Sequence, residues 1–380
     1  MIVLGIETSC DETTAAVVSG CRESVSVLSN VISSQIDIHK KYGGVVPEVA
    51  AREHILNILP VINTSLKIFN TQYSISNQYK NKKYPIDAIA VTVGPGLITS
   101  LITGIETAKT LSYAWNIPVV AVNHIEGHIY ANFIKNKIFD TRHSTLETHH
   151  SKFPSVILTV SGGHTMLVLM QGHGKFKTIG ETRDDAAGEA FDKAAKMLGI
   201  GYPGGPAISA LAEKVSNYEC RVSNINNNIR HSTLDTRNSK ITLPRPMIDG
   251  VDFDFSFSGL KTALRYALEK DKQWEKRIPE YCAEFQQAVI DVLIHKTIKA
   301  AKKYDAKTIM LAGGVSANKK LREQFALKTS ELLPDTVLQI PDLKYTTDNA
   351  AMIASAGYFK AKRKKFTPWQ KLRVDCNLAL

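Results

Sequence analysis

The sequence predicts an α/β fold made of two similar lobes. Three observations point there: strand-sized apolar runs alternate with helical segments, each half opens on a hairpin, and glycine turns follow strands in both halves. In the first half Ile2–Ile6 reads as a strand. The small hydroxyl and acidic residues from Glu7 to Thr14 read as a tight turn into a second strand, Ala15–Val18. Gly43, Gly44 and Pro47 mark a loop before a helix around Ala50–Leu59, and the polar run 70–83 reads as a surface excursion. Ile86–Val93 is a buried-strand pattern ending at Gly94-Pro95-Gly96, with a helix over about Thr99–Trp115. Val119–Val122 is the next strand, and His124 opens another helix. The second half begins in the same way: Val156–Val160 and Thr165–Met170 are strands joined by Ser161-Gly162-Gly163-His164. A long helical pattern covers Tyr281–Lys303. Strand Thr308–Leu311 follows, Ala312–Asn318 leads into a further helix, and Asp348 stands at the N-cap of the last one.

The 380 residues suffice for two or three domains and a sizeable core, and 44% hydrophobic with 22% charged residues is globular composition. No apolar run reaches the roughly 20 residues of a membrane span. Met1–Ile6 runs straight into Glu7, without a basic start or a small-residue cleavage site, so neither secretion nor membrane insertion is expected. Five cysteines (Cys10, Cys21, Cys220, Cys282, Cys376) are widely spaced and contain no Cys-x-x-Cys pair. That pattern predicts neither a disulfide framework nor a structural zinc site, and it fits a reducing cytoplasm. The net charge of +11 is uneven. Lys360, Lys362, Arg363, Lys364, Lys365, Lys371 and Arg373 lie in a stretch with no acid, with Phe366 and Trp369 interleaved. Such a tail is either a solvated terminus or a surface for a phosphate backbone, which leaves a soluble enzyme and a nucleic-acid-binding module as the open classes.

Two stretches look foreign to this pattern. Arg142–Lys152 and Arg230–Lys240 match at eight of eleven positions and lack any helical or strand period. They read as surface inserts. A metal site on His143, His149 and His150 is disfavoured, because no regular element there would hold the imidazoles in place. Deleting residues 142–152 is expected to leave activity nearly intact.

Three constellations carry chemistry. In His124-Ile125-Glu126-Gly127-His128 the imidazoles are four apart, so they share one helix face and can reach one metal ion, directly after a buried strand. The alternative is that one histidine caps the helix and the other packs. A metalloprotease would need Glu immediately after the first His, and Ile125 stands there. The second constellation is four glycine turns, Gly94-Pro95-Gly96, Ser161-Gly162-Gly163, Pro203-Gly204-Gly205 and Ala312-Gly313-Gly314, three of them at strand ends. Each lets backbone N–H groups approach an anion, which points to a nucleotide or phosphorylated ligand, although neither a P-loop nor a Gly-x-Gly-x-x-Gly fingerprint is present. The third is acidic. If Asp185, Glu189 and Asp192 lie on one helix, they share a face, where like charges destabilise unless they bind something. Asp11 and Glu12 in the first turn, and Asp348, are ambiguous by themselves.

Eight segments of the chain together resemble the tRNA N6-adenosine threonylcarbamoyltransferase family, formerly called O-sialoglycoprotein endopeptidases. They are Glu7–Thr13, Asn123–His128, Ser161–Thr165, Asp184–Lys193, Tyr202–Pro206, Phe255–Lys261, Gly313–Asn318 and Thr347–Ile353. The likeness runs in order over about residues 1–360, is of the bacterial type, and is broken only by the two inserts. It implies a two-lobed actin-like, sugar-kinase-like ATPase (ribonuclease H-like) fold, with lobes over 1–123 and 124–360. It leaves the last helix free to pack back on the first lobe, inserts at 138–152 and 220–242, and a basic tail at 361–380. The implied reaction moves the threonylcarbamoyl group from threonylcarbamoyl-AMP to N6 of adenosine 37 in tRNAs reading codons that begin with A, giving N6-threonylcarbamoyladenosine and AMP. By the same resemblance, one Fe(2+) or Zn(2+) per subunit falls on His124, His128 and Asp348. Substrate contacts fall on Thr159, Val160, Ser161, Gly162, Gly163, Asp192, Gly205 and Asn318, and Asp11 and Glu12 lie near the reacting centre. Thr159 occupies a position where an aliphatic residue is common, so its backbone is the part expected to matter. The implied partners are threonylcarbamoyl-AMP, tRNA, a paralogous inactive subunit and a small ATPase subunit, with no membrane. A metal-dependent endopeptidase and a non-catalytic ATP-binding subunit of the same fold are the alternatives.

Overall fold

The computed structural model describes residues 1–72, 84–135, 151–225 and 241–380. Two five-stranded mixed sheets of equivalent topology organise it. In the first, β1 (Ile2–Glu7), β2 (Glu12–Cys21) and β3 (Ser24–Ser34) form an antiparallel meander, and β4 (Ala88–Gly94) and β5 (Val119–Asn123) add in parallel beside β1, giving the order β3-β2-β1-β4-β5. In the second, β6 (Ser155–Val160), β7 (Thr165–Gly172) and β8 (Lys175–Glu181) repeat the meander, and β9 (Thr308–Ala312) and β10 (Val337–Gln339) add in parallel beside β6, giving β10-β9-β6-β7-β8. This repetition of one unit is the actin-like, sugar-kinase-like architecture.

The helices complete three packed layers. In the first half α1 (Ile36–His39) is a single turn, while α2 (Pro47–Gln72) and α3 (Ile98–Trp115) cover the outer face of sheet one through Leu4, Ile6, Ile58, Ile62, Leu101 and Ile105. After β5 comes the short α4 (His124–Tyr130). In the second half α5 (Ala187–Met197), α6 (Gly204–Ile225), α7 (Ser258–Lys270), α8 (Ile278–Lys303) and α9 (Lys319–Leu332) enclose the other outer core around Phe191, Phe257, Phe285 and Phe325. Between the sheets lies α10 (Ala350–Lys362), whose residues from Ala350 to Phe359 are all buried, packed with α4 among Val3, Ala90, Ile157 and Met310. Its approach to β1 is close enough to require glycine. A Cβ on Gly5 would lie 2.3 Å from the Ala350 carbonyl oxygen and 2.8 Å from Ala354 Cβ. The last helix thus belongs spatially to the first lobe, although it follows the whole of the second in sequence.

Several local expectations are corrected. Strand β2 begins at Glu12, so the turn after β1 spans only residues 8–11. Strands β3, β8 and β10, and helices α6 and α7, had no counterpart in the sequence pattern. Asp185 precedes α5, which starts at Ala187, so it does not share a helix face with Glu189 and Asp192. Its charge is met by Lys193 at 2.7 Å and Lys261 at 3.3 Å, and Lys193 also reaches Glu189 at 2.8 Å. Structural ion pairs therefore answer most of that acidic cluster without a ligand. The N-cap of α10 is Asn349, whose side chain accepts the Met352 N–H at 3.0 Å, and Asp348 lies one residue outside it.

Residues 361–380 are not a free tail. Thr367 bridges to Val119, the Asp375 N–H donates to the Val93 carbonyl at 2.9 Å, and Leu372 is buried in the core of lobe one. Of the seven basic residues, Lys360 pairs with Glu126 at 2.7 Å and Lys362 with Glu23 at 2.6 Å. Lys364, Lys365, Lys371 and Arg373 remain at the surface.

The repeated inserts, with His143, His149 and His150, lie outside the described residues, apart from their edges. Ser151 and Lys152 are anchored: Ser151 Oγ donates to Gln339 at 2.8 Å, and the Lys152 N–H and carbonyl both bond Thr308 Oγ1, at 3.1 and 2.9 Å. A deletion confined to 142–150 is therefore the appropriate test of the inserts. It is expected to leave activity within about twofold of wild type.

Candidate functional site

The site begins where β5 runs into α4. Asn123 ends the strand and caps the helix, its side-chain oxygen accepting the N–H groups of Ile125 (2.8 Å) and Glu126 (3.3 Å). Its amide donates to the carbonyls of Leu378 and Ala379, both at 3.1 Å, so the C-terminal segment braces the cap. The four-residue spacing then brings His124 and His128 onto one face, with ring centroids 4.7 Å apart and planes at 83°.

Asp348 completes the group from the other end of the chain. Its Oδ1 lies 3.4 Å from His124 Nε2 and 3.2 Å from His128 Nε2, and one ligand atom from each residue falls within 4.8 Å of the others. Packing of α4 on α10 sets this meeting. Gly127 faces Ile353 with space for no side chain, Ser355 Oγ donates to the Tyr130 carbonyl at 2.9 Å, and Lys360 clamps Glu126 at 2.7 Å. Glu126, between the two histidines, is thereby turned away from them.

The chemistry of the three residues fits a cation. Both ring nitrogens of His128 are buried: Nδ1 has no hydrogen-bond partner among the described residues, and Nε2 meets only the Asp348 carboxylate at 3.2 Å, an arrangement that costs free energy unless a further group joins them. Burial by itself would raise the Asp348 carboxyl, but the two imidazoles hold it far below the ordinary carboxylate range. Burial would lower His124, and the Asp348 and Glu7 carboxylates lift it instead. His164, carried just past the glycine turn that follows β6, is pushed down to about 4 by burial and by the charge of His124 and His128, which marks it as a neighbour of the same centre.

Asp11 and Glu12 stand beside this group. Burial, then the Asp348 and Asp11 charges, push the Glu12 carboxyl up to about 10, and the two side chains hydrogen-bond each other. Their loop is held by His54 of α2. The Cys10 carbonyl can only accept, so His54 Nε2 donates to it at 2.9 Å, and Nδ1 accepts the Thr13 hydroxyl at 2.8 Å.

The substrate-contact candidates occupy the second lobe. Thr159 and Val160 are buried at the end of β6, within the ladder to β7. Ser161 folds the next turn on itself: its N–H donates to the His164 carbonyl at 2.8 Å, its hydroxyl accepts the His164 N–H at 3.1 Å, and its carbonyl accepts Gly188 N–H at 3.1 Å. Gly162, Gly163 and Gly205 have no atom within 4 Å of where a Cβ would be, so their backbones face open space. Asp192 shapes the third glycine turn by accepting Gly204 N–H at 2.6 Å. Asn318 caps α9 through Leu321 N–H at 2.9 Å and donates to Ser209 (2.9 Å) and Gln286 (2.8 Å), so its side chain clips three helices together. Asp184 holds the 256–258 segment by accepting both serine hydroxyls, at 2.5 and 2.6 Å.

Sequence reasoning missed two residues at this centre, His164 and Glu7. His164 had a signal in its position directly after Ser161-Gly162-Gly163. Glu7 had its place at the end of the first strand and at the head of the Glu7–Thr13 segment, but nothing that paired it with His124.

Comparison with known proteins agrees with this geometry. The family model described as TsaD, tRNA N6-adenosine threonylcarbamoyltransferase, matches residues 26–355. A protein of that name from Dehalococcoides mccartyi is 49% identical over 360 residues, covering 95% of this chain and 94% of the relative. Another from Bacillus subtilis is 46% identical over 359 residues, covering 94% of this chain and 90% of the relative. Among solved structures, HypF of T. kodakarensis aligns over 98% of this chain and 49% of its own length with a TM-score of 0.55 at 11% identity, a likeness of fold alone.

Proposed function

Because the chain belongs to the tRNA N6-adenosine threonylcarbamoyltransferase family and is a transferase acting in tRNA modification, we propose the full reaction it performs. It transfers the threonylcarbamoyl group from threonylcarbamoyl-AMP to N6 of adenosine 37 in tRNAs reading codons that begin with A. The observation that carries this reading is the juxtaposition of two buried histidines, His124 and His128, and the half-buried Asp348 with glycine turns whose backbones face open space.

Each part of the site then has a task. The turns at Ser161–Gly163 and Gly205, with Asp192 shaping the latter, hold the adenylate through backbone N–H groups, and Thr159, Val160 and Asn318 fix the strand end and helix start behind them. The N6 amine attacks the carbamoyl carbon, the bond from that carbon to the phosphate oxygen of AMP breaks, and the amine proton passes to the Asp11–Glu12 pair. An exocyclic amine is a weak nucleophile, so orientation against an already activated acyl donor accounts for much of the rate. His124, His128 and Asp348 hold one Fe(2+), or Zn(2+) in its place. When bound, the ion supplies positive charge for the leaving phosphate or a developing oxyanion. No Ser or Cys nucleophile is required. An endopeptidase would need a general base where Ile125 stands, and a non-catalytic ATP-binding subunit would have no use for the buried three-residue group.

The proposed partners are tRNA, a paralogous inactive subunit and a small ATPase subunit. An exposed apolar stripe supports a protein partner: Ile55, Leu56 and Leu59 on α2 with Ile98 and Ile102 on α3. The proposed location is the cytoplasm. Among the described residues no helix is long and apolar enough to cross a membrane, and Cys10, Cys21, Cys282 and Cys376 are free.

The reading is tested by incubating the chain with threonylcarbamoyl-AMP, its partner subunits and unmodified tRNA, then analysing the nucleosides. N6-threonylcarbamoyladenosine and AMP are expected in equal amounts, and their absence with all components present would overturn the reading. Replacing Lys364, Lys365, Lys371 and Arg373 together by Gln is expected to weaken tRNA binding about tenfold at low salt, with a shallower salt dependence and unchanged adenylate binding. An unaltered salt slope would return these residues to plain solvated charge.

A further inference from the structure

Glu7 lies wholly buried at the end of β1, outside the three candidate ligands. Its Oε1 accepts the Ser9 N–H at 2.5 Å. Its Oε2 accepts the Thr92 hydroxyl at 2.5 Å and lies 3.2 Å from His124 Nδ1. Ser9 Oγ is also 3.1 Å from Nδ1 and can give or take a hydrogen bond. An ionised carboxylate can only accept, so the hydrogen between Glu7 and His124 sits on Nδ1. Nε2, the other ring nitrogen, then faces Asp348 at 3.4 Å, so the two carboxylates flank one imidazole. This is the geometry in which an outer carboxylate orients a metal-bound histidine and raises its basicity.

We propose that Glu7 is the positioning residue of the metal centre: held by Thr92 and Ser9, it keeps a hydrogen on His124 Nδ1 and so presents Nε2 as the ligating atom. The inference rests on the metal reading of His124, His128 and Asp348. It differs from a structural role for a buried carboxylate in what Glu7→Gln should do. The amide is nearly isosteric, yet an oxygen kept opposite the Ser9 N–H places the NH2 opposite Nδ1. His124 then accepts there and carries its hydrogen on Nε2, where the cation would bind.

The experiment uses full-length protein with 15N-labelled histidine, with the His124 signals assigned by their loss in His124→Ala. Long-range proton–nitrogen spectra, recorded metal-free and with zinc, are expected to show a hydrogen on Nδ1 of His124 in both states of the wild type and on Nε2 in metal-free Glu7→Gln. Zinc affinity, measured by chelator competition, is expected to fall about 10- to 100-fold in Glu7→Gln and by less in Thr92→Val. A wild-type His124 without a hydrogen on Nδ1, or a Glu7→Gln affinity equal to wild type, would overturn the proposal. If Glu7→Gln does not fold, the wild-type spectra decide alone. A wild type that binds no zinc would overturn the metal reading, while the metal-free spectrum still judges Glu7.

Discussion

Replacing His124 by Ala is expected to lower threonylcarbamoyl transfer to tRNA by at least ~100-fold while leaving the protein folded. The substitution removes one of three groups that converge within 4.8 Å, and the other two, His128 on α4 and Asp348 just before the cap of α10, cannot close the gap from elements held by packing. Stability should fall by roughly 2–4 kcal/mol, because Glu7 and Asp348 lose their charge partner while Glu7 keeps its hydrogen bonds from Ser9 and Thr92. His128→Ala is the sharper companion. Its Nδ1 has no hydrogen-bond partner among the described residues and its Nε2 meets only Asp348, so its removal gives up a single polar contact in the metal-free chain, yet it should lower transfer as far. Rates come from nucleoside analysis under single-turnover conditions and folding from urea titration. Transfer at the wild-type rate in either variant would remove the metal assignment, and an unfolded His128→Ala would show that the ring is needed for packing.

Gly5→Val is expected to destabilise the protein by roughly 3 kcal/mol and to weaken zinc binding at the same time. The position is in the middle of β1, where a β-branched residue would ordinarily be favoured. Here a Cβ would meet the Ala350 carbonyl and Ala354, both in the first turns of α10, so the helix must move off the sheet. Asp348 lies two residues before Ala350 and would move with it, away from histidines fixed on α4. Gly259→Ala on α7 is the control: nothing lies within 4 Å of its Cβ, and the change should be neutral or slightly stabilising. The midpoint of urea unfolding and zinc affinity by competition check both. A Gly5→Val protein of unchanged midpoint would mean that α10 does not bear on β1 as closely as described.

Most of the central strands were legible because a buried strand leaves an unbroken apolar run. Val119–Val122, Val156–Val160 and Thr308–Leu311 each correspond to an observed element. The missed strands are those at or near a sheet edge, where one side meets water. β8 (Lys175–Glu181) is mostly exposed or half-buried, and β3 alternates serines with valines, so their composition resembles loop. The acidic cluster of 184–192 looked like a ligand site because the sequence does not show that Lys261, far along the chain, reaches Asp185. The basic tail looked solvated for a related reason: its anchors, Val93, Val119 and Asn123, are backbone and side-chain partners from the first third of the chain.

By itself the sequence determined the two-lobe α/β pattern, the helix that sets His124 and His128 on one face, and the glycine turns at strand ends, because each depends on spacing over a few residues. The family resemblance had placed Asp348 with those histidines, but nothing in the spacing does so; tertiary structure supplies the physical meeting, and it alone decided that Glu7 stands behind His124 and that Glu126 does not join them. α10 is the reason. A helix buried on every side carries no amphipathic stripe to show which surface it will face, so its place between the sheets, and with it the third member of the group, is set only when both lobes pack against it.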